Sequence, residues 1–220
     1  MQAIMQTFND TSSVLSLLKT RKSASAKTMG LTGYGLNKGC TADLVVLTDC
    51  LDGPDKGRVS FVRVPPGGNP YWYRWRVAAD WLEAHPDVDR VWCVDGTDVQ
   101  MLHDPFPRMA DGVFYVGSEP STFSGRAGSW LRAHCPWIRQ YLDEHPDFVV
   151  VNCGLVGGSR ADVVDVVGAM AELEAVGGPF DMGAFQWLVH ECRPEYVTGP
   201  VVHTVLRADD RHGAAWWRHK

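Results

Sequence analysis

The sequence lacks the paired cysteines that mark disulfide-rich domains and zinc sites. Its six cysteines are spread over 220 residues, and none forms a C-x-x-C pair. Most of them fall inside apolar runs. This pattern predicts buried free thiols in a reducing compartment, and it argues against a structural zinc centre.

Long apolar runs and an excess of positive charge are also missing. No run approaches the 18 apolar residues of a membrane span, and the N-terminal stretch MQAIMQTFNDTSS has no charged-then-apolar signal pattern. The formal net charge is −5, which argues against a domain that grips a nucleic-acid backbone. We therefore expect a cytoplasmic protein without a membrane span. The oligomeric state stays open.

The composition is that of an ordinary globular domain. Hydrophobic residues make up 45% and charged residues 21% of the chain, which permits one full core and predicts a single domain over residues 1–220. Residues 19–39, KTRKSASAKTMGLTGYGLNKG, hold few core residues and much of the basic charge. They predict a flexible loop, and a flap over an anionic substrate is the functional alternative.

Apolar runs alternate with amphipathic stretches along most of the chain. Strands are predicted at 2–8, 42–48, 59–64, 91–94, 112–118, 148–151 and 196–205, and helices at 14–18, 71–85, 136–144, 161–175 and 182–191, with 121–136 irregular. Tyr71, Trp75, Ala78, Ala79 and Leu82 are predicted to form the buried face of the second helix. The alternation predicts an α/β fold with a largely parallel sheet flanked by helices.

The central segment is RVWCVDGTDVQMLHDPF, residues 90–106. A buried strand stops at Asp95-Gly96-Thr97-Asp98, so two carboxylates would stand at the carboxyl edge of the sheet. Carboxylate oxygens suit Mg²⁺ or Mn²⁺, which often share their coordination with substrate phosphates. A turn in which Asp and Gly satisfy backbone groups is the structural alternative.

Other polar residues also fall at predicted strand ends. These residues are Asp49, Glu119, Asn152 and His203. Ligands of open α/β sheets bind outside the carboxyl ends of the strands. One pocket could therefore collect them. Arg74 lies near a helix N-terminus, where a cation gains nothing from the dipole. A solvated or salt-bridged side chain is the default expectation, and an anionic partner is the alternative.

Three segments resemble one enzyme family. The block VWCVDGTDVQMLHDPF is similar to the strand, acidic motif and D-P-F exit of nucleotide-sugar glycosyltransferases with the GT-A fold. FVVVNCGLVGG, residues 148–158, resembles their F-N-x-G-x-x-G strand, and FDMGAF, residues 180–185, resembles their D-Q helix start, with Met182 in place of Gln. The resemblance implies a single GT-A domain with a mixed, mostly parallel sheet, in which a DxD-type motif holds Mn²⁺ or Mg²⁺ against the donor diphosphate.

The resemblance also implies metal ligands. Asp95 and Asp98 would hold the cation, with His203 as a third ligand or a diphosphate contact. Thr97 is the alternative to Asp98, although a hydroxyl alone is a poor ligand for a hard cation. Arg74 would face the diphosphate by charge alone.

A second set of residues is implied to contact the nucleotide and the sugar. Asn152 and Gly154 belong to the strand that lines the sugar pocket, and Glu119 is a further hydroxyl contact. Asp181 would contact sugar hydroxyls and act as the base if the reaction inverts the sugar. Asn9 and Asp10 would end the strand that reads the nucleotide.

The implied activity is transfer of a sugar from a nucleoside-diphosphate donor, with a UDP-sugar favoured. The acceptor stays open among a protein, a glycan, a lipid-linked sugar and a modified DNA base. One alternative is an inactive nucleotide-sugar or glycan-binding protein of the same fold. A sugar nucleotidyltransferase is disfavoured, because it needs a Gly-rich, Arg-containing loop after the first strand and residues 9–13 are NDTSS.

Overall fold

A computed structural model describes residues 2–8, 42–49, 58–95, 99–193, 195–204 and 213–219. Several predictions concern residues outside these ranges: the helix at 14–18, the loop at 19–39, and the roles of Asn9, Asp10, Thr97 and Asp98. Among the described residues, no helix is both long enough and apolar enough to cross a membrane.

The described elements alternate as the sequence predicts. In chain order they are β1 (Gln2–Phe8), β2 (Asp43–Thr48), β3 (Val59–Arg63), α1 (Pro70–Ala84), β4 (Arg90–Asp95), β5 (Val99–Met101), β6 (Tyr115–Thr122), α2 (Arg126–His134), α3 (Arg139–Glu144), β7 (Val149–Ser159), α4 (Arg160–Leu173), α5 (Met182–Cys192), β8 (His203–Thr204) and β9 (Trp217–His219), with 3-10 turns at Phe106–Arg108 and Pro136–Ile138. The α/β prediction is confirmed.

The main sheet has six strands in the order β3-β2-β1-β4-β7-β6. The first four are parallel to one another. β7 runs antiparallel to both of its neighbours, so the sheet is mixed. A second, small sheet has the order β5-β9-β8.

Side-chain alternation divides the core between the two faces of the main sheet. Val45 and Val91 pack on one face with buried residues of α1, α4 and α5. Leu44 and Trp92 point to the other face, where they meet the small sheet and the tail residue Trp216. Trp216 and Trp217 near the C-terminus are both buried.

Helix α1 begins with sequence signals that the structure uses. The Asn69 side chain accepts a hydrogen bond from the Tyr71 backbone N–H, and Pro70 occupies the first turn. The predicted buried face is wrong at Tyr71, which is 48% exposed, while Trp72 and Trp81 are buried. Because four of the residues 71–75 are aromatic, hydrophobicity alone does not determine which face of the helix is buried.

The segment 121–136, predicted as irregular, contains helix α2. The glycines that suggested a loop serve close packing, because a Cβ on Gly128 would lie 1.8 Å from the Phe123 carbonyl oxygen. The preceding strand β6 continues through Pro120 to Thr122. A proline is tolerated there because β6 is an edge strand.

Two other predicted strands have different lengths in the structure. β7 spans 11 residues, Val149–Ser159, and continues well past the end of the predicted strand at 148–151. The predicted strand 196–205 is mostly wrong: among its described residues, 196–204, only His203 and Thr204 are in a strand, with one isolated bridge from Val197 to Tyr115. A turn at Gly199 and Pro200 interrupts it.

The pairing of β6 with β7 changes register near the end of the sheet. Val116 pairs with Val156, but the next residue, Gly117, pairs with Asn152, so three residues of β7 bulge between them. β4 ends opposite this bulge, since its Val94 pairs with Leu155. The first residues of β7 and the last of β6 therefore extend beyond the carboxyl end of β4.

Candidate functional site

A cleft of about 1200 Å³ lies at this carboxyl edge. It is bounded by the first turns of α1, α2 and α5 and by the extension of β6 and β7. Asp95, Glu119 and Asn152, three of the residues predicted to meet at strand ends, all line it. Asp49 and His203 do not belong to its lining.

Arg74 joins two carboxylates at the base of the cleft. Its Nη1 donates to Asp95 Oδ1 at 2.6 Å, and its Nη2 and Nε donate to Asp181 Oδ2 at 2.6 and 3.1 Å. The side chain of Arg74 is 14% exposed and that of Asp181 is 1% exposed. We call Arg74, Asp95, Asp181 and Cys153 the ionic floor. The expectation of a salt-bridged Arg74 is confirmed.

Strand alternation explains why Asp95 faces this helix. It has the same parity in β4 as Val91 and Cys93, which point toward α1, whereas Trp92 and Val94 point to the other face. The carboxylate that ends the strand is therefore delivered to the helix-covered side.

Asp181 is held by more donors than a helix cap would need. It occupies the residue before α5, as predicted, but its side chain makes no capping hydrogen bond. Its Oδ2 instead accepts from Arg74 and from Trp75 Nε1, the latter at 2.8 Å. The buried guanidinium and indole take the carboxylate, so it does not cap the helix.

Burial and charge act in opposite directions on the floor residues. Burial lowers the pKa of Arg74, but Asp181, Cys153 and Asp95 together raise it well above its ordinary value. Burial raises the pKa of the Cys153 thiol well above its ordinary value, against the influence of Arg74. Arg74 is therefore a permanent cation, and Cys153 is a neutral thiol that accepts a hydrogen bond from Arg74 Nη2.

Sequence reasoning missed Trp75 and Cys153 as members of the site. Trp75 was assigned to the core, where it is indeed buried, yet its indole N–H also binds Asp181. Cys153 follows Asn152 in β7 and, by alternation, points to the same face as Val151. The alternation of side chains along β7 was therefore the sequence signal that could have identified Cys153 as a member of the site.

Gly154 makes room for the Asp95 carboxylate. A Cβ on Gly154 would lie 2.4 Å from Asp95 Oδ2 and 3.1 Å from Asn152 Oδ1. The Gly154 backbone N–H donates to Asn152 Oδ1 at 2.8 Å, and Asn152 Nδ2 donates to Glu119 Oε1 at 2.5 Å. Glycine at this position thus permits a continuous polar wall from Asp95 to Glu119.

His203 is buried and its ring bonds within the protein. Its Nε2 accepts from the Ser118 backbone N–H at 2.9 Å, so the proton lies on Nδ1, which faces the Thr204 carbonyl at 3.2 Å. Burial lowers the pKa of His203. A metal at Nε2 would have to replace the Ser118 hydrogen bond, and the ligand role of His203 stays a prediction.

The described residues supply one of the predicted carboxylate ligands, Asp95, and its Oδ1 already accepts from Arg74. They contain no group of three His, Cys, Asp or Glu side chains that could hold a metal ion. Mg²⁺ and Mn²⁺ are commonly bound by one or two carboxylates together with substrate phosphates. The donor set fits a cation shared with a phosphate ligand better than one held by protein alone.

No protein family matches the chain, and no curated protein matches it. The function must therefore be argued from the chemistry of the cleft.

Proposed function

We propose that the protein is a glycosyltransferase of the GT-A type, which moves a sugar from a nucleoside-diphosphate donor, with a UDP-sugar favoured, to an acceptor. One observation carries the proposal. Asp95, Asn152 and Asp181 come from the three separate segments that resemble this family, and all three line one cleft at the carboxyl edge of the sheet. The mixed α/β sheet with four parallel strands also supports it.

The charge of the cleft calls for a cation when a diphosphate is bound. The charged side chains among its described lining are three carboxylates and two guanidiniums: Asp95, Glu119, Asp181, Arg74 and Arg126. A phosphate oxygen about 4 Å from an unpaired carboxylate is opposed by roughly 4 kcal/mol at an effective dielectric of about 20. Asp95 with Asp98 would hold Mn²⁺ or Mg²⁺, and the bound cation would stabilise the charge that develops on the leaving diphosphate.

Arg74 adds fixed positive charge at the same place. Because Asp181 and Trp75 hold the guanidinium and its carboxylate, its position is set before any ligand binds. A preorganised charge lowers the reorganisation needed when negative charge develops. Arg74 therefore supports a cation in neutralising the diphosphate.

The geometry favours Glu119 over Asp181 as the base of an inverting transfer. Asp181 Oδ2 already accepts from three N–H groups and its side chain is 1% exposed, so it has little access to an acceptor hydroxyl. Glu119 is half-buried and accepts from Asn152. It would take the proton of the acceptor hydroxyl while that oxygen bonds to the anomeric carbon and the diphosphate leaves with the electrons of the broken bond.

The Arg74 contact with Asp95 favours a second candidate. A carboxylate already paired with a guanidinium is a weaker metal ligand, which suits a nucleotide-sugar or glycan-binding protein of this fold without catalysis. Turnover separates the two candidates.

The test is release of free nucleoside diphosphate from a panel of UDP- and GDP-sugars, with and without Mn²⁺. We expect Mn²⁺-dependent release by the wild type and a loss of at least about 100-fold in Asp98→Asn, which removes a charged ligand. Asp111→Asn is the matched control, since Asp111 is 91% exposed and outside the cleft; it should keep the rate. Equal rates in Asp98→Asn and wild type would contradict the metal role, and no release from any donor would favour the binding protein.

A further inference from the structure

Three aromatic side chains, two of them exposed and one partly buried, form a cluster at the edge of the cleft. Tyr71 of α1, Trp130 of α2 and Phe180, which precedes α5, are joined by ring contacts: Tyr71 to Phe180 at 5.3 Å and Trp130 to Phe180 at 5.5 Å between centroids. We call them the aromatic rim. Tyr71 and Trp130 both line the cleft. Nothing in the proposed chemistry of the donor uses them.

The rim leaves a large aromatic surface open to solvent. Tyr71 is 48% exposed and Trp130 is 40% exposed. One face of the Trp130 indole is stacked on His134, four residues later in α2, with centroids 4.3 Å apart and an interplanar angle of 15°. The exposed surface of Trp130 therefore lies on its other face and edges. Two large rings kept partly bare beside a polar cleft indicate a ligand that covers them.

The groups on the same cleft narrow the chemistry of that ligand. Glu119, Ser121 and Thr122 of β6 line it together with Asn152 of β7. A carboxylate, an amide and two hydroxyls offer hydrogen-bond acceptors and donors at short spacing. A pyranose ring has matching chemistry, because its axial C–H face is apolar and its equatorial hydroxyls both donate and accept.

We propose that the aromatic rim is a carbohydrate-binding subsite, on which the apolar face of a neutral pyranose ring stacks against Trp130 and Tyr71 while its hydroxyls reach Glu119 and Asn152. Its assignment as the acceptor subsite rests on the proposed function. The ligand class is then a glycan, in preference to a protein side chain, a lipid phosphate or a DNA base.

Charge favours a neutral sugar over the other occupants. Glu119 lines the same cleft as Tyr71 and Trp130, and its carboxylate would repel a phosphodiester. Arg126, one turn before Trp130 in α2, is exposed, so water screens its attraction for an anion. A peptide would need a continuous apolar groove or an open sheet edge, whereas the rim is a compact set of three rings.

Binding can be measured directly without any donor. The protein is labelled with 5-fluorotryptophan, and the ¹⁹F signal of Trp130 is assigned from Trp130→Phe. The labelled protein is then titrated with cellobiose, lactose, chitobiose and mannobiose. We expect the Trp130 signal to move with at least one disaccharide in the millimolar range. Trp187 has the same 40% exposure but lies outside the cleft lining, so its signal should stay in place.

Variants then separate the rim from general surface effects. Trp130→Ala and Tyr71→Ala should each weaken saccharide binding at least tenfold, and Trp187→Ala should change it less than twofold. Absence of a Trp130 shift with every disaccharide, or equal shifts at Trp130 and Trp187, would overturn the proposal. So would a Trp130 shift that only a Ser/Thr-rich peptide produces.

This outcome is distinct from a failure of the proposed function. Saccharide binding at Trp130 without turnover of any donor would leave the subsite in place and remove its role as an acceptor site. Donor turnover without saccharide binding would remove the subsite alone.

Discussion

The ionic floor and the aromatic rim share helix α1 and the residues just before α5, yet they have opposite properties. Arg74 and Tyr71 lie one turn apart on α1, and Asp181 and Phe180 are consecutive residues before α5. The floor contact, Arg74 with Asp181, is nearly closed to solvent. The rim contact, Tyr71 with Phe180, is open to it.

This difference separates the two tasks of a binding cleft. A buried ion network fixes positions, because each of its charges is costly to leave buried without its partner. Aromatic rings that stay exposed gain their contacts only when a ligand arrives. The floor should therefore determine the stability of the site, and the rim should determine its selectivity.

Removal of the floor cation should have the largest effect. Arg74→Met leaves Asp181, 1% exposed, without its charged partner, and breaking a buried pair costs about 3–5 kcal/mol in the free energy of unfolding. Urea denaturation measures the loss. Arg76→Met, two residues along the same helix, removes an exposed pair with Glu174 and should cost at most about 1 kcal/mol. Similar losses of stability in Arg74→Met and Arg76→Met would mean that the ionic floor does not determine the stability of the site.

A methyl group at Gly154 should disturb the floor from the strand side. The added Cβ would lie 2.4 Å from Asp95 Oδ2, so either the carboxylate or β7 must move, at a cost of about 1–3 kcal/mol. Gly168→Ala is the control, because a Cβ on this residue of α4 meets nothing within 4 Å. It should stabilise by about 0.5–1 kcal/mol through helix propensity. A stable Gly154→Ala that keeps donor binding would show that Asp95 needs no exact position.

Truncation of the rim should cost little stability. Trp130→Ala removes ring contacts with Phe180 and His134, which are worth about 0.5–1.5 kcal/mol. The same urea experiment tests it. A loss as large as that of Arg74→Met would assign the rim to the core and remove the contrast.

The smallest effect concerns pH, at a histidine that does not itself line the cleft. His190 packs on Phe148, donates from Nε2 to the Val149 carbonyl, and lies near Glu191 and His145. Burial lowers its pKa below the ordinary value of about 6.5. The unfolded chain therefore takes up this proton first, so stability falls as pH drops below about 6.5.

His190→Gln keeps a donor for Val149 and removes the titration. Thermal melts between pH 7.5 and 5 should show a smaller loss of stability in this variant than in the wild type. Parallel curves for the two proteins would show that His190 does not contribute.

The fold and the floor were predictable from sequence to different degrees. The strand that ends at Asp95 follows from the apolar run before it. Because side chains alternate between the two faces of a strand, the position of Asp95 places its carboxylate on the helix-covered side. The pairing of Arg74 with Asp181, 107 residues apart, could not be predicted, because four neighbouring aromatics obscure the phase of α1. Helix α2 was missed because its glycines, which permit close packing against Phe123, look like loop residues.

The aromatic rim could not be predicted from the sequence either. Trp130 belongs to a segment predicted as irregular, and Tyr71 was assigned to the core. Exposure of a large aromatic depends on the packing of distant elements, which local pattern does not encode.

Donor binding tests the central claim most directly. Thermal unfolding of the wild type is followed with Mn²⁺ alone, with each UDP- or GDP-sugar alone, and with each pair. A ligand at 100 times its Kd adds about 2.7 kcal/mol, which corresponds to about 5–10 °C for a domain of this size. The account predicts such a shift only when the cation and one nucleotide sugar are both present. No shift with any pair, or a full shift with Mn²⁺ absent, would contradict it.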